Sequence, residues 1–215
     1  MSRPSTFRRW WREPWRTSTA RRDIVIGLGI GIGTPCLVLL ALWTAGLQRV
    51  YWHGTTAADL VTTIATGALI GSVLEELVFR YLALRGLQLL IGSVAASAVT
   101  ALAFGSLHLV SPYATLLGGI AATAAGLMFN AAYLATRTMW LPLALHIGWN
   151  LVTVVAVGVP VGGAHRLFHL TPHGADLLSG GRYGPDGSIV TVAACLILTA
   201  SLIARRTPRS ILKKR

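Results

Sequence analysis

Long runs without charged residues alternate with short polar connections along the chain, and this pattern predicts membrane-spanning helices. A charge at the centre of a bilayer costs several kcal/mol, and about 20 helical residues cross about 30 Å of hydrocarbon. Pro112 divides the longest uncharged run, which covers residues 86–136. The predicted fold class is all-α, a polytopic transmembrane helix bundle of about six spans, at 24–48, 60–86, 92–110, 114–136, 138–160 and 188–204.

The composition agrees with a membrane protein. Charged residues make up 12% of the chain, against about 25% in soluble domains, and the mean hydropathy is +0.62. A water-soluble enzyme, a nucleic-acid-binding domain and a disordered tail are therefore poor descriptions of the whole chain.

The net charge of +12 is concentrated at the two ends, where residues 1–22 hold seven of the 19 Lys and Arg and residues 205–215 hold six. Because these charges flank apolar spans, membrane lipids with anionic head groups are the expected partners, and nucleic acid is not. No obligate protein partner is inferred.

Two basic ends and an even number of spans predict a multi-pass protein of the cell membrane with both termini in the cytoplasm. On this topology residues 1–23 and 205–215 are basic cytoplasmic tails, and residues 24–204 form the bundle. Residues 160–187 are rich in Gly and Pro and are interpreted as one external loop.

Two adjacent glutamates interrupt the second predicted span. Ionisable residues inside a span are functional candidates by default. Arg80 lies four residues after Glu76 and can pair with it along one helix face. Glu75 is rotated from Glu76 by about 100° and is expected to face elsewhere. A helix-locking ion network is the structural alternative for this group.

Three further polar side chains occur in otherwise apolar spans. His108 ends the third span, and His146 and Asn150 share one face of the fifth because they are four residues apart. Estimated depths allow these groups and Glu75 to meet in one buried cavity. There a carboxylate can take a proton from water, a His can orient that water, and N–H donors can stabilise the oxyanion of an attacked carbonyl. These are the parts of an amide or ester hydrolase.

The same residues resemble a known family. Three motifs occur in order in separate predicted spans: Glu75-Glu76-x-x-x-Arg80, Phe104-x-x-x-His108 and His146-x-x-x-Asn150. Over about residues 57–158 they are similar to the motifs of the CPBP family, the CAAX-processing and bacteriocin-processing intramembrane proteases, also called the Abi family.

The resemblance implies an endopeptidase with its active site inside the membrane and a membrane-associated peptide or protein as substrate. By motif position, Glu75 corresponds to the general base and His108 to the residue that helps to activate the water. His146 and Asn150 correspond to the oxyanion-stabilising pair. Glu76 and Arg80 correspond to supporting residues.

Metal use is open at this stage, because the family is described both as metalloproteases and as metal-free glutamate proteases. Glu75, His108 and His146 would form a two-His-one-carboxylate zinc set. The His-Glu-x-x-His helix of many zinc proteases is absent from the sequence. No cofactor is therefore favoured, and zinc is the alternative.

Two other functions use the same polar residues. A small proton-coupled transporter would use them as a relay and predicts flux without hydrolysis. A non-catalytic membrane scaffold predicts a phenotype that survives the loss of Glu75.

Overall fold

The computed structural model describes residues 13–110, 113–158 and 166–205, and helices dominate these ranges. The α-helices are α1 (Ala20–Thr44), α2 (Ala57–Thr63), α3 (Gly71–Glu76), α4 (Arg85–Leu107), α5 (Leu116–Thr136), α6 (Trp140–Asn150), α7 (Asp176–Ser179) and α8 (Ile189–Ala204). Wider π-helical turns cover Ile64–Ile70, Leu77–Leu84 and Leu151–Ala156. Short 3-10 turns cover Glu13–Trp15, His108–Val110, Gly181–Tyr183 and Pro185–Gly187.

Three helical segments in the described ranges are long and apolar enough to cross a membrane: Ala20–Thr44, Ala57–Val110 and Leu116–Thr136. Trp140–Ala156 and Ile189–Ala204 are shorter apolar helices. The predicted all-α helix bundle and its membrane character are confirmed.

The segment Ala57–Val110 has 54 residues, which would be about 80 Å long as one straight helix. It is broken at Gly92, whose φ of 76° and ψ of 170° lie outside the helical region. Glycine adopts positive φ without the steric cost that a Cβ brings. The break lies at the boundary between the spans predicted at 60–86 and 92–110.

Small residues allow the helices that surround the site to pack closely. At Gly27 and Gly31 of α1, an added Cβ would collide with Leu141, Ala144 and Leu145 of α6. Gly126 of α5 faces Ala101 of α4 in the same way. Close approach of backbones through glycine is a common means of helix association in lipid.

The outer surface is apolar, as expected for contact with lipid. Val94 is 87% exposed and Leu90 is 80% exposed on α4. The bundle interior contains Phe104, Phe129 and Leu145.

Helix α1 begins at Ala20, four residues before the predicted span. The prediction assumes that charge ends a span, yet Asp23 lies inside the helix and is only 2% exposed. Its carboxylate accepts hydrogen bonds from the hydroxyls of Thr19 and Thr138 and pairs with Arg22. A buried charge is tolerated when its hydrogen bonds are satisfied.

The sequence does not predict the small antiparallel sheet. Strand β1 (Gln48–Trp52) pairs with β2 (Phe168–Pro172), so that Gln48 lies opposite Pro172 and Trp52 opposite Phe168. Strand β2 and α7 lie inside the segment interpreted as one loop at 160–187. A five-residue strand gives little periodic signal when its partner is more than 100 residues away.

Some predicted features fall outside the described residues. These are most of the N-terminal tail, at 1–12, almost all of the C-terminal tail, at 206–215, the division at Pro112, and positions 159–165.

Candidate active site

The helices bring the three motifs to one place in the bundle. Glu75 and Glu76 end α3, His108 directly follows α4, and His146 and Asn150 lie on α6. The two glutamates stand between two π-helical stretches, and a third begins directly after Asn150. Such wide turns occur frequently at functional sites.

A fully buried ion network forms the base of the site. Arg80 Nη1 lies 3.1 Å from Glu76 Oε1, and both side chains are 0% exposed. The Nδ1 atom of His146 lies 2.9 Å from the same oxygen. The sequence therefore predicts the Glu76–Arg80 pair correctly but does not predict that Glu76 also contacts His146.

Arg80 is held by further contacts. Its Nη2 atom donates a hydrogen bond of 3.2 Å to the carbonyl oxygen of Gly126. The guanidinium carbon lies 4.6 Å from the ring centre of Phe104 and 5.0 Å from that of Phe129. These contacts surround a buried cation with compensating groups.

Glu75 contacts the opposite edge of the same imidazole. Its Oε2 atom lies 3.6 Å from His146 Nε2, and its side chain is 31% exposed. Glu75 and Glu76 therefore contact different edges of one ring, because the two nitrogens of an imidazole point in different directions. A single His can therefore stand between two carboxylates that are one residue apart.

The ring of His108 has a defined orientation. Its Nδ1 atom lies 2.8 Å from the carbonyl oxygen of Phe104. A carbonyl oxygen only accepts hydrogen bonds, so Nδ1 carries the proton. The Nε2 atom of a neutral His108 is then left as a proton acceptor.

Asn150 is engaged with neighbouring polar groups. Its Nδ2 atom donates to the hydroxyl of Ser72 at 3.0 Å and to the carbonyl oxygen of Gly67 at 3.4 Å. Both N–H donors of the amide are therefore in use. An oxyanion role for Asn150 requires one of these contacts to be exchanged.

A cavity of about 60 Å³ is lined by His108, His146 and Asn150, and Glu75 borders it only through its contact with His146. Space of this size holds ordered water when polar atoms line it. The ring of His146 stacks on Phe129, with ring centres 4.4 Å apart, and so forms part of the wall. The polar groups that line the cavity are His108, His146, Trp149, Asn150, Tyr183, Asp186 and Thr191.

The sequence does not predict that Asp186 and Tyr183 line the cavity, because both lie in the segment interpreted as an external loop. The ring of Tyr183 packs against Gly118, where an added Cβ would meet it at 2.6 Å. Asp186 Oδ2 accepts a hydrogen bond of 3.4 Å from Trp149 Nε1. Burial raises the pKa of Asp186 to about 7, against the opposing effect of hydrogen bonds from Trp149 and Thr153.

The zinc alternative, with Glu75, His108 and His146 as ligands, stays a prediction. Over the ranges 13–110, 113–158 and 166–205, no group of three or more His, Cys, Asp or Glu side chains is placed to hold a metal ion. Nδ1 of His146 is bound to Glu76 and Nδ1 of His108 to a backbone carbonyl, so Nε2 is the ring atom that each histidine can turn to a metal or a substrate. The chemistry proposed below uses only the chain's own groups.

Comparison with known proteins agrees with the motif pattern. No curated protein and no solved structure matches the chain. Residues 57–152 match the family model described as type II CAAX prenyl endopeptidase Rce1-like, and this stretch contains all three motifs. The match supports a membrane peptidase of the CAAX protease type. Over these residues the chain is thus similar to the Rce1-like endopeptidases, which confirms the resemblance to the CPBP family that the sequence predicts.

Proposed function

We propose that the chain is an intramembrane endopeptidase that hydrolyses a peptide bond of a membrane-associated peptide or protein with water activated by Glu75. The observation that carries the proposal is the contrast between two adjacent carboxylates. Glu76 is fully buried and contacts both Arg80 and His146. Glu75 is 31% exposed, and its 3.6 Å contact with His146 is too long for a hydrogen bond. Glu75 is therefore the carboxylate that water can reach.

In the proposed reaction, a water molecule lies between Glu75 and His108. Glu75 accepts one proton of the water, and Nε2 of His108 accepts a hydrogen bond from the other and orients it. The water oxygen bonds to the carbonyl carbon, and the carbonyl electron pair moves to its oxygen. Glu75 then returns the proton to the leaving nitrogen, and the electron pair of the oxyanion re-forms the carbonyl as the carbon–nitrogen bond breaks.

Stabilisation of the oxyanion is assigned to His146 and Asn150, as the family resemblance implies. His146 is suited to this role if Nε2 also carries a proton, since Nδ1 donates to Glu76. Asn150 contributes when substrate binding exchanges its contact with Ser72.

Glu76 and Arg80 are positioning residues in this mechanism. Glu76 holds the imidazole of His146 through Nδ1, and Arg80 balances the charge of Glu76. A His that is fixed by a buried carboxylate keeps its orientation as charge develops at the reacting atoms.

The proposed topology has six spans and both termini in the cytoplasm. Arg85 begins α4, close to Arg16 and Arg137. His108 follows the other end of α4, and the cavity is lined there by Tyr183 and Asp186. If the arginine-rich end is cytoplasmic, substrates approach the site from the opposite side of the membrane.

The test uses detergent-purified protein and a library of fluorogenic membrane peptides, with prenylated and unprenylated members. Hydrolysis is compared among the wild type, Glu75→Gln and His108→Ala, with Asp176→Asn as the control at an exposed carboxylate. We expect both site variants to lose activity and the control to keep it. Unchanged hydrolysis in both site variants would overturn the proposal. Repeating each assay with a zinc chelator tests the expectation that no metal is required.

A further inference from the structure

A second cavity, of about 580 Å³, lies near the N-terminal end of α4, away from His108 at the other end. Among the described residues, three arginines line it, Arg16, Arg85 and Arg137, together with one acidic residue, Glu13. We propose that this cavity binds the phosphate head group of an anionic membrane phospholipid. The proposal does not depend on the peptidase function.

The charges of the cavity favour a phosphate. Three arginines against one glutamate give the described part of the lining a net charge of +2. Guanidinium groups offer several N–H donors in one plane, which suits the oxygen atoms of a phosphate. Basic pockets between transmembrane helices are a recurrent mode of recognition for acidic lipid head groups.

Arg85 is held rigidly at the floor of the cavity. It is 7% exposed, and its guanidinium carbon lies 4.9 Å from the ring centre of Tyr81. It also makes a side-chain hydrogen bond with Tyr133, which lines the same cavity. Arg16 and Arg137 are exposed and stand nearer to the surface.

The rim of the cavity is apolar, which favours a lipid over a soluble phosphate. Leu89 lines the cavity and is 76% exposed. Leu90 and Val94 flank it on α4 and are 80% and 87% exposed. A phospholipid fits both the basic lining and the apolar rim, because its phosphate can lie among the arginines and its acyl chains against Leu89, Leu90 and Val94.

Aromatic residues place the cavity at head-group depth. The rings of Trp15 and Trp140 meet at this end with centres 5.6 Å apart. The indole N–H of Trp140 donates a 2.8 Å hydrogen bond to the carbonyl oxygen of Arg16, whose side chain lines the cavity. Tryptophan is enriched where the bilayer meets water.

The test measures thermal unfolding and lipid binding of the full purified chain. The probes are dioleoylphosphatidylglycerol, zwitterionic dioleoylphosphatidylcholine and soluble glycerol phosphate. The variant R16Q/R137Q removes two cavity arginines. The matched control R49Q/R182Q removes the same charge near the opposite end of the bundle. Unfolding in phosphatidylcholine alone establishes that each variant is folded.

We expect phosphatidylglycerol to raise the Tm of the wild type and the control above the value in phosphatidylcholine. In R16Q/R137Q the affinity for phosphatidylglycerol should fall about tenfold or more, since each basic residue near a membrane surface contributes on the order of 1 kcal/mol. Equal stabilisation of the wild type by the two lipids would overturn the proposal. An equal loss of phosphatidylglycerol affinity in R16Q/R137Q and R49Q/R182Q would also overturn it, because it would indicate binding by diffuse surface charge. If glycerol phosphate raised the Tm of the wild type as much as phosphatidylglycerol does, the ligand would be a soluble phosphate and the lipid assignment would be overturned.

Discussion

The Nδ1 atom of His146 lies 2.9 Å from the Oε1 atom of Glu76, in a part of the bundle that solvent scarcely reaches. The same carboxylate oxygen contacts Arg80 at 3.1 Å. The second motif glutamate is thus committed to orienting a histidine and neutralising an arginine. The first glutamate is left more accessible, and this difference makes the two residues separable by experiment.

Glu75→Gln and Glu76→Gln should have different effects on stability. Glu76→Gln leaves the buried Arg80 without its counter-charge, and breaking a buried ion pair from one side costs about 3–5 kcal/mol. Glu75→Gln removes a partly exposed carboxylate and should leave the Tm nearly unchanged while abolishing hydrolysis. Circular-dichroism melting in detergent, combined with the peptide assay, distinguishes these outcomes. Equal losses of Tm in the two variants would contradict the assigned roles.

The imidazole of His108 should carry its proton on Nδ1. The 2.8 Å contact with the Phe104 carbonyl requires a donor there. Nitrogen-15 NMR of protein labelled at histidine can identify the protonated nitrogen of each ring, and His108→Gln assigns the signal. Protonation of Nε2 alone would contradict the geometry and remove the proposed acceptor of the water. His108→Gln should also reduce hydrolysis by about 10²–10⁴-fold if His108 assists proton transfer.

Asn150 and Ser72 provide a test of oxyanion stabilisation. If the Asn150 amide leaves Ser72 to bind the oxyanion, Asn150→Ala should reduce kcat by about 10²–10³-fold. Ser72→Ala removes only the resting partner at 3.0 Å, so its kcat should stay within a few-fold of wild type. Steady-state kinetics on both variants measure the difference. Equal losses of kcat in Asn150→Ala and Ser72→Ala would show that the hydrogen bond between these residues has only a structural role.

The helices and the polar cluster could largely be predicted from the sequence, because membrane burial penalises charge strongly. A penalty of several kcal/mol for each charge makes both the uncharged spans and their exceptions informative. Glu76 and Arg80 stand out for this reason, and their spacing of four residues already predicts the pair. The predicted start of the first span is wrong, because Asp23 lies inside the helix. Its buried carboxylate is tolerated there through contacts with Thr19, Arg22 and Thr138.

Contacts between distant parts of the chain could not be predicted in this way. The position of Asp186 beside Trp149 depends on how the segment before α8 folds back over the bundle. Strand β2 depends on a partner strand more than 100 residues earlier. Neither contact has a periodic pattern, and the Gly- and Pro-rich composition of residues 160–187 resembles that of an exposed loop.

The proposed orientation can be tested by labelling engineered cysteines. Thr17 lies at the arginine-rich end and His169 lies on β2, and both side chains are exposed. After Cys36 and Cys195 are replaced by Ser, a cysteine at position 169 should react with an impermeant maleimide in intact cells. A cysteine at position 17 should react only after permeabilisation. The reverse pattern would invert the topology and place the cavity entrance towards the cytoplasm.

Asp186 should make the folded state less stable as the pH rises from about 4 to about 7. Burial raises its pKa to about 7 in the folded chain, whereas an unfolded aspartate has a pKa of about 3.9. Between these values the folded state keeps a proton that the unfolded state has released, so the contribution to stability falls as the pH increases and is constant above about 7. Asp186→Asn cannot ionise and should remove this dependence.

The measurement is the Tm in one detergent at pH 5 and pH 8. Because His108 and His146 also line the cavity and are present in both proteins, the difference between wild type and Asp186→Asn isolates the aspartate. The Tm of the variant should exceed that of the wild type at pH 8 and do so much less at pH 5. The corresponding change in the free-energy difference between the two proteins, from pH 5 to pH 8, is on the order of a few kcal/mol. Asp176→Asn, at an exposed position, should follow the wild type at both pH values. Parallel profiles for wild type and Asp186→Asn would mean that the Asp186 carboxyl is already ionised at pH 5, and that hydrogen bonds from Trp149 and Thr153 outweigh the effect of burial.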